Sequence, residues 1–217
     1  HIAARRKRHA EAKVEAEHHL HIRAAAGEPA AHLPLRHDHR GSAHGQVKDN
    51  GQINMALCCD FLSRRLSLYT DVEQRYTFEE RYAELLRYHD ASWINLWSAA
   101  SAYYHALRGE TDSIPEIFSQ HRLSDINMLA PGQPMMEMIE NQVYLAQGAY
   151  AKVIGHSAQL LAVCEAMHYA LVALHIRIQT AAAYAQLGKS EEACTWLRQA
   201  LSDAAPDGLV MAFVENY

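Results

Sequence analysis

The chain has 217 residues and a mass of 24.4 kDa, with 49% hydrophobic and 21% charged residues. That is enough to bury a core, and it excludes a disordered chain. Only 10 Gly and 6 Pro occur, too few turn residues for an all-β sandwich or barrel, and the formal net charge is −5, most of the acid lying in the second part of the chain.

Residues 1–52 hold nine Lys/Arg against six Asp/Glu, whereas residues 53–217 hold eleven against nineteen. The larger part is therefore a poor match for a phosphate backbone. No apolar run approaches the ~18–20 residues of a membrane span, so no membrane partner is expected. No signal-peptide pattern is visible, and the start at His1 rather than Met leads us to expect a longer N-terminus in the gene product. Cys58, Cys59, Cys164 and Cys194 form no CxxC pair, and Cys58 and Cys59 point different ways on a helix. Reduced, buried thiols in a cytoplasmic protein are expected.

Two regions are expected. Residues 1–52 form an irregular His-rich N-terminal segment. It has one helix, opened by Arg5-Arg6-Lys7-Arg8 and running to about Ala26, then a linker from Leu35 to Gln52 with three Gly and no periodicity. From Ile53 to Tyr217 the pattern is helical, and nothing reads as a strand. Met55, Leu57, Phe61, Leu62, Leu66 and Leu68 recur near helical spacing. Asp71 suits an N-cap for a helix over Val72–Tyr88, and Asp90 begins a helix through Trp93 and Trp97 to Gly109. Thr111-Asp112 caps a shorter helix with Pro115 in its first turn. Pro131-Gly132 breaks the chain. Helices then follow from Pro134 to Gly148, Ala149 to Cys164, Glu165 to Gly188 and Ser190 to Asp203.

A repeat of about 40 residues organises this region. Gly109, Gly148 and Gly188 are 39 and 40 residues apart, and Tyr104, Tyr144 and Tyr184 are 40 and 40 apart. Each Tyr–Gly pair reads as a helix end: an aromatic that packs inward, then a glycine where a left-handed backbone is needed. Two helices per period predict an all-α fold, a right-handed superhelical solenoid of antiparallel helix pairs.

The run Tyr184-Ala185-Gln186-Leu187-Gly188-Lys189-Ser190-Glu191-Glu192-Ala193, leading to Leu197, Ala200-Leu201 and Pro206, resembles the tetratricopeptide repeat. Its tyrosine, glycine and two small alanines fall on Tyr184, Gly188, Ala193 and Ala200. Ala193 and Ala200 would lie where paired helices approach closely, and a large residue there would overpack by ~1–3 kcal/mol. The sequence departs from the pattern in three ways. Arg177 and Thr180 stand at places usually apolar, Val153 replaces the first alanine of the middle unit, and the periods exceed the usual length of about 34.

The stretch from Ala181 to Phe213 adds Ala205-Pro206, Gly208 and Phe213 to this pattern. It resembles the end of the central helical domain of MalT-type LuxR-family transcriptional activators. The resemblance covers roughly Ile53–Tyr217 and is strongest from Asn141 onward. It implies a sensing and scaffolding region that takes a small-molecule inducer or a partner protein on its concave face. It also implies contact with DNA only through a C-terminal domain outside this chain. No G-x-x-x-x-G-K-[ST] phosphate loop and no recognisable helix-turn-helix occur, so no cofactor is expected in this chain. A stand-alone adaptor for partner peptides is the alternative.

Carrying the repeat family's groove positions over places Leu96, Ala99 and Tyr103 on the concave face from the first unit. The second contributes Met135, Met138 and Gln142, and the third His175, Ile178 and Ala182. This surface suits a small ligand or an apolar peptide better than a phosphate. Met135 and Met138, at i and i+3, also fit plain core packing, and so do Trp93 and Trp97. His18-His19-x-His21, His37-Asp38-His39 and His44 offer only H-x-H spacings and read as a solvated tail, with no metal site expected. Ser92, Ser98 and Ser101 lie near His89 and His105, but without a G-x-S-x-G elbow. Glu79-Glu80 and Glu191-Glu192 sit at helix starts, where they complement the dipole. No catalytic constellation is found, and an enzyme is not expected.

Overall fold

A computed structural model describes residues 53–71, 74, 77–126 and 130–216. The N-terminal helix, the linker, the basic run Arg5–Arg8 and the clusters around His18–His21, His37–His39 and His44 lie outside these residues. All regular elements among the described residues are helical. None is long and apolar enough to cross a membrane.

Two compact units meet between Thr77 and Phe78. In the first unit, α1 (Ile53–Ser67) ends on Arg64 and Arg65, cations that suit the negative end of a helix dipole. Arg65 also lies over the Phe61 ring at 5.5 Å.

The second unit opens with α2 (Phe78–Leu85), which carries Glu79 and Glu80 in its first turn. A 3-10 turn over Leu86–Tyr88 follows and ends at His89, whose φ is 52°. The helix expected over Val72–Tyr88 is thus a shorter one starting at Phe78. Asp90 caps α3 (Ala91–Arg108) as expected, its carboxylate accepting from the Ser92 N–H at 2.8 Å. Aromatic contacts join α2 to α3. Phe78 meets Trp97 edge-on at 6.1 Å, Tyr82 lies 4.5 Å from Trp97, and the Trp97 indole donates to the Phe78 carbonyl at 3.1 Å. Trp93 packs edge-on to Tyr88 at 5.2 Å. Both tryptophans are half-buried structural residues.

After α3 the sequence suggested one short helix. The structure instead has a 3-10 turn at Thr111–Ser113, then α4 (Glu116–Ser119) with Pro115 at its N-cap, then 3-10 turns at Leu123–Asp125 and Ala130–Gly132. Pro115 is the physical reason: it biases Ile114 toward extended backbone, and Ile114 has ψ 128°. The first repeat therefore lacks a long second helix, and α4 packs against α3 and the next long helix in its place.

The remaining long helices are α5 (Gln133–Ala146), α6 (Tyr150–Ala166), α7 (Ala170–Gln186) and α8 (Ser190–Ala204). A 3-10 turn over Ala205–Asp207 leads to the short α9 (Met211–Asn216). Gly109, Gly148 and Gly188 have φ of 71°, 77° and 75°, the left-handed conformation that the Tyr–Gly spacing predicted. Each is followed by the same pair of bonds. After α5, for example, Gly148 donates to the Leu145 carbonyl and Ala149 to that of Tyr144. His168, φ 58°, closes α6 by the same bonds without a glycine. It moves the start of α7 to Ala170 from the expected Glu165.

Short turns force α5 and α6, and α7 and α8, to run antiparallel. In addition α3 packs on α5, α5 on α7 and α7 on α9, so these four form one row. The hydrophobic core lies between the helices. Tyr144, Val153 and Ala183 join α5, α6 and α7, while Leu174, Ile178, Ala200, Ala204 and Ala212 join α7, α8 and α9. Ala200 is fully buried and Ala193 is buried on the same face of α8. Tyr144 is buried, whereas Tyr104 and Tyr184 are half-buried under the side chains of Arg108 and Lys189.

Candidate functional site

The first and last helices of the row touch. Tyr103 on α3 donates from its hydroxyl to the Glu215 carboxylate on α9 at 2.8 Å, and both residues are buried. One residue further on, the Asn216 side-chain amide meets His175 Nδ1 on α7 at 3.1 Å and donates to the Ala212 carbonyl at 2.7 Å. One turn along α7 from His175, the Gln179 amide donates to the Met138 carbonyl and to Gln142 Oε1 on α5, each at 3.1 Å. These contacts form a buried polar seam between the inner helices, where an apolar core would be the simpler solution.

Four of the residues expected on a concave ligand-binding face fall in this seam. Of the expected concave-face residues, Tyr103, Met138, Gln142 and His175 do line it. Ile178 is buried instead in the apolar core with Leu174, Ala200 and Ala204. Met135 is half exposed, and Leu96, farther back on α3, is partly exposed, as is Ala182; Ala99 is buried. The expected open face is therefore a closed seam at these positions, because α9 lies against α7 and supplies Glu215 and Asn216 to it.

Asn141, Gln179, Glu215 and Asn216 were not singled out from the sequence. Only the placing of one polar residue a turn beyond another, His175 and Gln179, hinted at a polar line on α7. Asn141 Nδ2, Gln179 Oε1 and Asn216 Oδ1 are buried without a hydrogen-bond partner among the described residues. Buried polar atoms are rarely left so, and such groups call for an explanation at each position.

A second polar cluster holds the irregular segment against α5. His121, with φ 56°, stacks on Tyr144 at 3.9 Å. Its Nε2 lies 2.8 Å from Gln147 Oε1, while Gln147 Nε2 donates to the Ser119 carbonyl at 3.2 Å. This arrangement puts the imidazole proton on Nε2. Nδ1 then faces Glu140 Oε1 at 3.4 Å. Burial lowers the pKa of His121 and raises that of Glu140, with Glu137 adding to the rise and His156 and Lys152 opposing it. At this 3.4 Å contact burial favours the uncharged form of both groups. Burial, and next Glu140, also raise the Tyr144 pKa.

Among the described residues no group of three or more His, Cys, Asp or Glu is placed to hold a metal ion. Ser92 is committed to the Asp90 cap, and His105 Nδ1 lies 2.9 Å from Glu110. Glu79-Glu80 and Glu191-Glu192 occupy the first turns of α2 and α8. Cys164 is buried, and its thiol pKa is raised, mainly by that burial, whereas Cys58, Cys59 and Cys194 are exposed, which corrects the expectation of buried thiols: they sit on helix faces that no neighbouring helix among the described residues covers.

No protein-family model, no curated protein and no solved structure matches this chain.

Proposed function

We propose that this chain is a sensing and scaffolding domain. Its helix pairs would form a right-handed, tetratricopeptide-like solenoid, as in the central region of a MalT-type LuxR-family activator. The observation that carries this reading is the polar seam. Side chains at groove-like positions on α3, α5 and α7 converge on it, and it is occupied by a helical segment of the same chain. A ligand or partner that competes for Tyr103 and His175 would bind the arrangement with α9 displaced better than the closed one. That difference in affinity is what shifts a population between two states.

On this reading the chain works in the cytoplasm without a cofactor of its own, and DNA is contacted by a separate module. The discriminating experiment is to read the coding sequence on both sides of the chain. A phosphate loop upstream together with a helix-turn-helix downstream supports the regulator. Absence of both overturns it.

One observation favours the stand-alone adaptor as a second reading: the seam holds a helix. An adaptor would hold a partner's helix in the same place. It predicts a stop codon close after Tyr217 and a protein partner whose binding is weakened by Tyr103→Phe.

A further inference from the structure

Beyond the sensing role, and sharing no residue with the seam, a cleft of about 470 Å³ opens where the α6–α7 turn meets the end of α8. That volume is within the range of small-molecule sites. We propose that this cleft binds a small organic cation, an ammonium group carried on an apolar body.

The apolar lining is Leu171, Leu174 and Leu209, with Tyr169 beside them. Leu171 and Leu209 are 55% and 37% exposed, so they flank the mouth, whereas Leu174 is buried at the floor. Such a lining receives a hydrocarbon body, and an aromatic ring accepts a cation on its face.

The charged lining is Glu165, Asp203, Asp207 and Arg177, three carboxylates against one guanidinium, with the His168 imidazole beside them. Arg177 crosses from α7 to both neighbours. Its terminal nitrogens lie 3.1 Å from Asp203 and 3.5 Å from Glu165. Asp203 also accepts from Gln199 at 2.9 Å. The guanidinium is thus already matched by two carboxylates, and an anionic ligand would have to displace one of them. The Asp207 carboxylate is committed to no ion pair with a described residue. It stands just past the C-terminus of α8, and α6 also ends at the cleft. Arg177, out of place against the tetratricopeptide pattern, is explained as the crossbar that holds Glu165 and Asp203 at the rim.

The test uses the full chain and three probes of one shape: 2-phenylethylammonium, 2-phenylethanol and 3-phenylpropionate, titrated by calorimetry. The ammonium is expected to bind saturably at one site. The alcohol should bind more weakly by about five-fold and the carboxylate more weakly still. Asp207→Asn, at an exposed position, should bring the ammonium down to the affinity of the alcohol without changing the melting temperature. Ala170→Trp should fill the mouth and weaken ammonium and alcohol alike. Equal binding of ammonium and alcohol, tighter binding of the carboxylate, indifference to Asp207→Asn, or no binding of any probe would each overturn the proposal. None of these outcomes depends on whether the chain belongs to a regulator.

Discussion

Tyr103 and Glu215, 112 positions apart in the sequence, share a hydrogen bond of 2.8 Å that ties the first long helix of the row to the last. A hydrogen bond to a carboxylate in a buried setting is worth about 1.5–3 kcal/mol. Tyr103→Phe should therefore lower the unfolding free energy by roughly that amount in urea titrations. Combined with Glu215→Gln in a double-mutant cycle, it should show a coupling of about 1 kcal/mol or more. Strict additivity would mean that the two residues do not meet in solution.

Gly148 and Gly155 should respond to alanine with opposite signs. Gly148 has φ 77°, and an added Cβ would meet nothing nearer than the Tyr150 hydroxyl at 4.0 Å. The penalty is then conformational rather than steric crowding, about 1–2 kcal/mol. Gly155 lies within α6, and a Cβ there meets nothing within 4 Å. Gly155→Ala should stabilise by about 0.5–1 kcal/mol through helix propensity. Thermal melts of the two variants against the parent check the pair of signs.

The raised pKa of Glu140 predicts a particular pH dependence. The folded state holds the Glu140 proton more tightly than the unfolded state, whose value is the ordinary 4.5. Stability from this group is thus present below 4.5 and is lost as pH climbs through the raised folded value. Glu140→Gln removes that loss. Its stability relative to the parent should improve steadily from pH 4.5 upward, as measured by urea unfolding at a series of pH values. His121, with its depressed pKa, acts in the other direction. It weakens the fold as pH falls from 6.5 toward its lowered value. A relative stability that stays flat from pH 4.5 to 7.5 would refute the assignment.

Ala193 and Lys189 test the close approach of α8 to its neighbours. Ala193 shares the buried face of α8 with Ala200 and Ala204. Ala193→Trp should cost about 1–3 kcal/mol through overpacking. Lys189 is exposed, and its ammonium sits 5.8 Å from the Tyr184 ring centre. Lys189→Ala should cost no more than about 0.5–1 kcal/mol. At about 2–4 °C of melting temperature per kcal/mol for a chain of this size, the two variants separate clearly in a thermal scan.

The local signals in the sequence translated directly into backbone. Asp90 was legible as a cap, and the glycines at 109, 148 and 188 as left-handed ends, because each depends only on a few neighbouring residues. His168 performs the same task as those glycines but was not legible. A non-glycine residue enters that conformation only where surrounding contacts hold it there. Pro115 was read as part of a first turn and in fact stands just ahead of α4. That is the kind of one-turn difference that flanking geometry decides.

By itself, then, the amino-acid order determined that the region after residue 53 is helical, where its long helices α3, α5, α7 and α8 stop, and that a 40-residue period repeats. Those properties come from backbone sterics and from apolar spacing within single helices. Only the tertiary structure decided that Gln179, Glu215 and Asn216 are buried partners of Gln142, Tyr103 and His175, and that Arg177 bridges two carboxylates at a cleft. The reason is that a polar side chain carries no mark of its own burial. Whether it meets water or another helix depends on how the whole row of helices packs, and that is the sum of many contacts spread along the chain.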